Sequence, residues 1–115
     1  MHLWIVMNWI KKIFGSKELD SRLFGNWTSD QNDKVTQQTL GDVTMTFTPT
    51  VELTYKVKEL DKVQIMNLTF WTEGEYIISE QPSSPRKERS RFSFDGDRLI
   101  LEFEGQKTMF LKSGE

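Results

Sequence analysis

The sequence predicts a mostly β protein, an antiparallel up-and-down barrel of about eight short strands preceded by one short N-terminal amphipathic helix. Three observations predict it. From residue 23 onward apolar and polar side chains alternate with period two, the pattern of strands with one wet face. Glycine-bearing turn signals separate these runs at short intervals, which suits neighbours joined as hairpins. Before residue 15 the spacing is helical instead.

In "MHLWIVMNWIKKIFG", Trp9, Ile10, Ile13 and Phe14 fall on one helical face and Lys11 and Lys12 on the other, with Gly15 as a C-terminal stop. The apolar run is far short of the ~20 residues that span a bilayer. No positive segment precedes it and no small-residue cleavage site follows it, so a signal peptide is not expected. The helix is expected to pack on its own domain or on a second copy in a homodimer. A weak peripheral membrane contact through residues 3–14 is the other reading, because Trp, Ile and Phe opposite lysines suit an interface. Residues 1–20 are therefore read as helix and linker, and 21–115 as a single barrel domain.

Strands are expected near 25–29, 33–39, 43–48, 51–58, 62–71, 75–80, 89–94, 97–104 and 107–112, the first two of them as one bent strand. Val43, Met45 and Phe47 alternate with threonines; Val51, Leu53, Tyr55 and Val57 alternate with Glu52, Thr54, Lys56 and Lys58. Asp95-Gly96 and Glu104-Gly105 are two-residue hairpin signals, because a type I′ turn needs positive φ at both central positions. "EQPSSPRKE" carries two prolines and reads as a long loop. In "KVQIMNLTFW" the apolar phase slips near Ile65-Met66, which predicts a β-bulge or burial of both faces under the N-terminal helix. Many short strands joined by tight turns favour closure into a barrel.

At 115 residues there is room for one core. Aromatics make up 12% of the chain, a large burial capacity for a small core. The formal net charge is -2, so no global field draws the protein to nucleic acid or anionic lipid. There is no cysteine, which excludes disulfides, thiolate nucleophiles and thiolate metal sites and fits a cytoplasmic, reducing location. The one histidine, His2, lies at the terminus, so a triad and an imidazole metal site are not expected. Glu73/Glu75, Asp95/Asp97 and Glu102/Glu104 are explained by turns and solvation. No cofactor, no metal and no enzymatic activity are expected.

Gly25-Asn26-Trp27 opens the alternating set, and "KTMFLK" closes it with Lys112. This arrangement resembles the calycins: the lipocalins and the shorter bacterial lipocalin-like domains. The closing stretch "FDGDRLILEFEGQKTMFLKS" is similar as well. The resemblance implies that Gly25 and Trp27 close one barrel end with Lys112 packed over the indole, where lipocalins usually carry arginine. It also implies a small apolar or amphipathic ligand inside the barrel.

The expected inward set is Val43, Met45, Phe47, Val51, Leu53, Tyr55, Val57, Phe92, Phe94, Leu99, Leu101, Phe103, Met109 and Leu111. This set is bulky enough to fill an eight-stranded barrel outright or to leave room for one small ligand. The candidate ligand residues are Tyr55, whose hydroxyl could fix a ligand, Phe47, Phe94 and Phe103 around it, and Trp71 and Tyr76 at a mouth. Arg86, Lys87, Arg89 and Arg91 form a basic patch suited to an anion or an acidic partner, or to shielding a strand edge. No aromatic platform alternates with them, so nucleic acid is not expected. The leading expectation is a non-enzymatic ligand-binding barrel. The alternative is a filled barrel acting through its surface as an immunity or accessory protein.

Overall fold

The computed structural model describes residues 18–113; the expected helix 3–14 lies outside them. A 3-10 turn (Ser21–Leu23) leads into β1 (Gly25–Ser29), followed by a short helix α1 (Lys34–Thr39). Then come β2 (Asp42–Phe47), β3 (Glu52–Glu59), β4 (Lys62–Glu73), β5 (Tyr76–Gln81), β6 (Ser84–Asp95), β7 (Arg98–Phe103) and β8 (Gln106–Ser113). Each strand pairs antiparallel with the next, and β8 returns to β1 to close the barrel.

Two expectations about elements are corrected. Residues 33–39 are not a strand: Asp33 accepts hydrogen bonds from the backbone N–H and hydroxyl of Thr36, an N-cap that starts α1. The cap also holds the Asp33 carboxyl below the usual carboxylate range, mainly through the Thr36 hydroxyl bond. Thr36, fully buried, in turn accepts the N–H of Met109, so α1 seals β8 where β1 has ended. Residues 80–88 are not a long loop. Pro82 and Ser83 form the turn, and β6 starts at Ser84, with Pro85 near its end, where a missing N–H costs least.

The turns match their residues with one shift. Glu104 and Gly105 both have positive φ (52° and 80°) between paired Phe103 and Gln106, as a type I′ loop requires. At the other hairpin Asp95 stays in the ladder opposite Arg98, so the loop is Gly96-Asp97 and only its glycine has positive φ. No bulge marks Ile65-Met66, because β3 and β4 run in unbroken register from Glu52↔Thr69 to Glu59↔Lys62. Val63 and Ile65 face outward and are exposed rather than covered, Ile65 by 62%. The register shift lies instead between Glu80 and Gln81, on β5 against β6. From Lys62 to Leu68, β4 is paired among the described residues only on its β3 side, since pairing with β5 begins at Thr69.

The core fills the end of the barrel that carries the β2–β3, β4–β5 and β6–β7 turns. Leu23, Met45, Phe47, Leu53, Phe70, Leu99 and Phe110 are all at most 2% exposed there and toward the middle. Phe47 meets Phe70 edge to face with centroids 5.0 Å apart. Phe110 and Thr108 face inward on β8, so Met109 and Leu111, expected inside, lie on the outer face. Strict alternation permits only one of these sets, and the pairing of Trp27 with Lys112 selects Phe110. Val51 is likewise not inside: it sits in the turn before β3 at φ 63° and is exposed.

Candidate functional site

The two ends of the barrel are built differently. At the filled end Trp27 is buried, donates its indole N–H to the Leu23 carbonyl at 2.8 Å, and packs 5.9 Å from the Phe94 ring. Lys112 stands opposite Trp27 in register, with its ammonium 4.7 Å from the indole centroid, and donates to the Phe24 carbonyl. Gly25 has φ 115°, and a Cβ there would meet Lys112 Nζ at 2.9 Å. Glycine thus serves both the backbone and the close approach of the lysine. Arg22, paired with Asp20, covers Phe94 from outside with its guanidinium 4.6 Å from the ring. The hydrogen bond from Arg22 keeps the Asp20 carboxyl below its ordinary range.

Toward the other end the filling stops. A cavity of about 380 Å³ is walled by side chains of β2, β3, β4, β5, β6, β7 and β8, and by Thr39 and Leu40 at the end of α1. Val57, Leu68, Leu101 and Phe110 supply apolar wall, and Ser79, Ser90, Thr108 and Glu88 supply polar points. Tyr55 projects into it from the middle of β3, and its hydroxyl makes no hydrogen bond with any described residue. No described buried side-chain nitrogen or oxygen is left without a partner, so this hydroxyl is open to the cavity rather than sealed in the wall. The ring is only half-buried by surface area because it lines a hollow, yet protein surrounds it closely. Burial, with Glu88 nearby as a smaller cause, pushes its pKa up to about 12, so the phenol stays protonated.

Of the residues expected to contact a ligand, Tyr55 and Phe103 line this cavity, Phe103 at the rim with 42% of its surface exposed. Phe47 and Phe94 instead belong to the packed end. Trp71 and Tyr76 lie on the outer face beside the β4–β5 turn, because Phe70 and Ile77 take the inward positions, and they line no part of the cavity. The basic run is divided by strand alternation. Lys87, Arg89 and Arg91 point outward: Lys87 over Trp71 at 5.6 Å, Arg89 over Tyr76 at 3.8 Å, and Arg91 paired with Glu75 at 2.9 Å. Arg86 points toward the inside with Glu88, beside the cavity mouth. The four cations therefore do not form one patch.

Glu88, Ser79, Ser90 and Phe110 were not among the expected site residues. Stepping back by twos from Phe94 and Phe92 leads to Ser90 and Glu88, so the signal was present once 84–90 is read as strand. Among the described residues no cluster of three or more His, Asp or Glu could hold a metal, and no helix is long and apolar enough to cross a membrane. The chain matches no protein-family model, no curated protein and no solved structure.

Proposed function

We propose that this protein is a non-enzymatic, lipocalin-like binder of a small apolar or amphipathic molecule held inside the barrel. The observation that carries the reading is the half-filled interior. One end is packed solid, while the other holds a cavity of about 380 Å³ into which the unbonded Tyr55 hydroxyl projects. That size lies in the range of small-molecule sites, and an apolar wall with a few convergent polar groups is their usual construction. The test is native mass spectrometry of protein purified gently from its own host. A reproducible extra mass of small-molecule size, lost on denaturation, is expected; a clean apo mass under those conditions refutes the reading.

A second reading, an interaction module of the immunity or accessory kind, rests on the β3–β4 hairpin. Leu60, Val63 and Ile65 are exposed there beside Lys56, Lys58 and Lys62. A protein-sized adduct in the same spectrum would favour it.

A further inference from the structure

Glu88 is the one ionisable carboxylate in the cavity wall, and it has no ion-pair partner among the described residues. It faces inward from β6, opposite Ser79 on β5, at the level where the apolar wall gives way to the mouth. A second hollow of about 390 Å³ shares Met66, Leu68, Ser79, Glu88 and Phe103 with the first as lining, and adds Arg86, Gln81 and Glu104. Arg86, Glu88 and Glu104 sum to one negative formal charge at the mouth. Deeper in, Tyr55 presents a neutral hydroxyl that can donate or accept, and Leu101 and Phe110 offer only hydrocarbon.

From this arrangement the geometry points to an amphipathic cation as the ligand: an apolar body against Val57, Leu101 and Phe110, and an ammonium head at Glu88 with the Ser79 and Ser90 hydroxyls beside it. The inference rests on the cavity-binding reading above and names the class of molecule that reading leaves open. A carboxylate amphiphile of the same shape would bring its charge against Glu88. A neutral alcohol would fill the apolar wall and leave the carboxylate without a counter-charge. The high pKa of the Tyr55 phenol agrees with a site that disfavours additional negative charge. The outward lysine and arginines of β6 do not alter this, because they are engaged on Trp71, Tyr76 and Glu75 on the other face of the strand.

The experiment is calorimetric titration of the full chain with dodecylammonium, dodecanol and dodecanoate, each below its micelle concentration, in the wild type and in Glu88→Gln. Glu88 is exposed, so the glutamine variant should fold, and its circular dichroism spectrum provides the check. The wild type is expected to bind dodecylammonium about fivefold more tightly than dodecanol, an increment suited to a partly solvated ion pair, and to bind dodecanoate most weakly. Glu88→Gln should remove the ammonium's advantage over the alcohol within the same variant. Equal binding of all three probes, or a preference for dodecanoate, overturns the cation assignment and leaves cavity binding standing. Binding of none of them overturns both.

Discussion

Replacing Gly25 by alanine tests the barrel-closing contact directly. The new Cβ would lie 2.9 Å from Lys112 Nζ and 3.0 Å from its Cε, closer than the atoms can sit. These are the far end of a flexible side chain, so the lysine would swing away rather than the backbone shift. The loss would then be what the ammonium now makes: a charge-assisted bond to the Phe24 carbonyl and a place over the Trp27 ring. Together these amount to about 1–2 kcal/mol for an exposed lysine. Holding alanine at φ 115° adds about 1–3 kcal/mol of backbone strain, whatever the lysine does. Gly25→Ala should therefore destabilise by roughly 2–5 kcal/mol and Lys112→Ala by about 1–2 kcal/mol. The double variant should cost no more than Gly25→Ala alone, because the lysine contacts can be lost only once. Urea unfolding followed by tryptophan fluorescence measures all three. Strict additivity of the two single changes would refute the account, since it would mean that Gly25 and Lys112 act independently.

Trp27→Ala should cost about 3–5 kcal/mol in the same assay, because a buried indole bonded to Leu23 is removed from the packed end; a loss near zero would show that it plugs nothing. Thr36→Val keeps the shape but removes the acceptor for the Met109 N–H and one of the bonds at Asp33. It should cost about 1–3 kcal/mol and speed hydrogen exchange at the Met109 amide, and an unchanged exchange rate would count against the α1 seal. Tyr55 has its folded pKa raised from 10.0 to about 12, so the unfolded state loses this proton first. Stability is then fully present below pH 10 and falls as pH rises toward 12, by at most about 2–3 kcal/mol. Tyr55→Phe should flatten that limb of the stability profile, and an identical alkaline limb in the variant would contradict the assignment.

The barrel was legible because the strands of a closed sheet alternate strictly, and β2, β3 and β7 do so in plain view. Where alternation is ambiguous the reading failed. In "KTMFLK" both Met109 with Leu111 and Thr108 with Phe110 make an acceptable inward face, and only the long-range pairing with β1 decides between them. Asp33 reads as the first residue of a strand over 33–39, yet its side chain caps a helix, an outcome reinforced by a contact of that helix with β8 far away in the chain. The cavity was hardest to foresee. Its existence depends on how far the large residues reach, and Phe47, Phe92 and Phe94 all crowd toward one end and leave Tyr55 at the boundary. Its charge was hidden because Glu88 stands in a basic run whose cations strand alternation sends mostly to the other face.

The uneven seams of the barrel bear on how anything enters it. β3 and β4 are joined by eight registered pairs, but β4 and β5 by only five, and the missing stretch flanks Met66 and Leu68 at the mouth. A bend of β4 there, taken together with β3 and its ladder partner β2, would widen the aperture without breaking a hydrogen bond between β4 and β5. Passage into the interior would then cost bending rather than unfolding, and exchange of contents could run on the timescale of a loop while the Trp27 end stays shut.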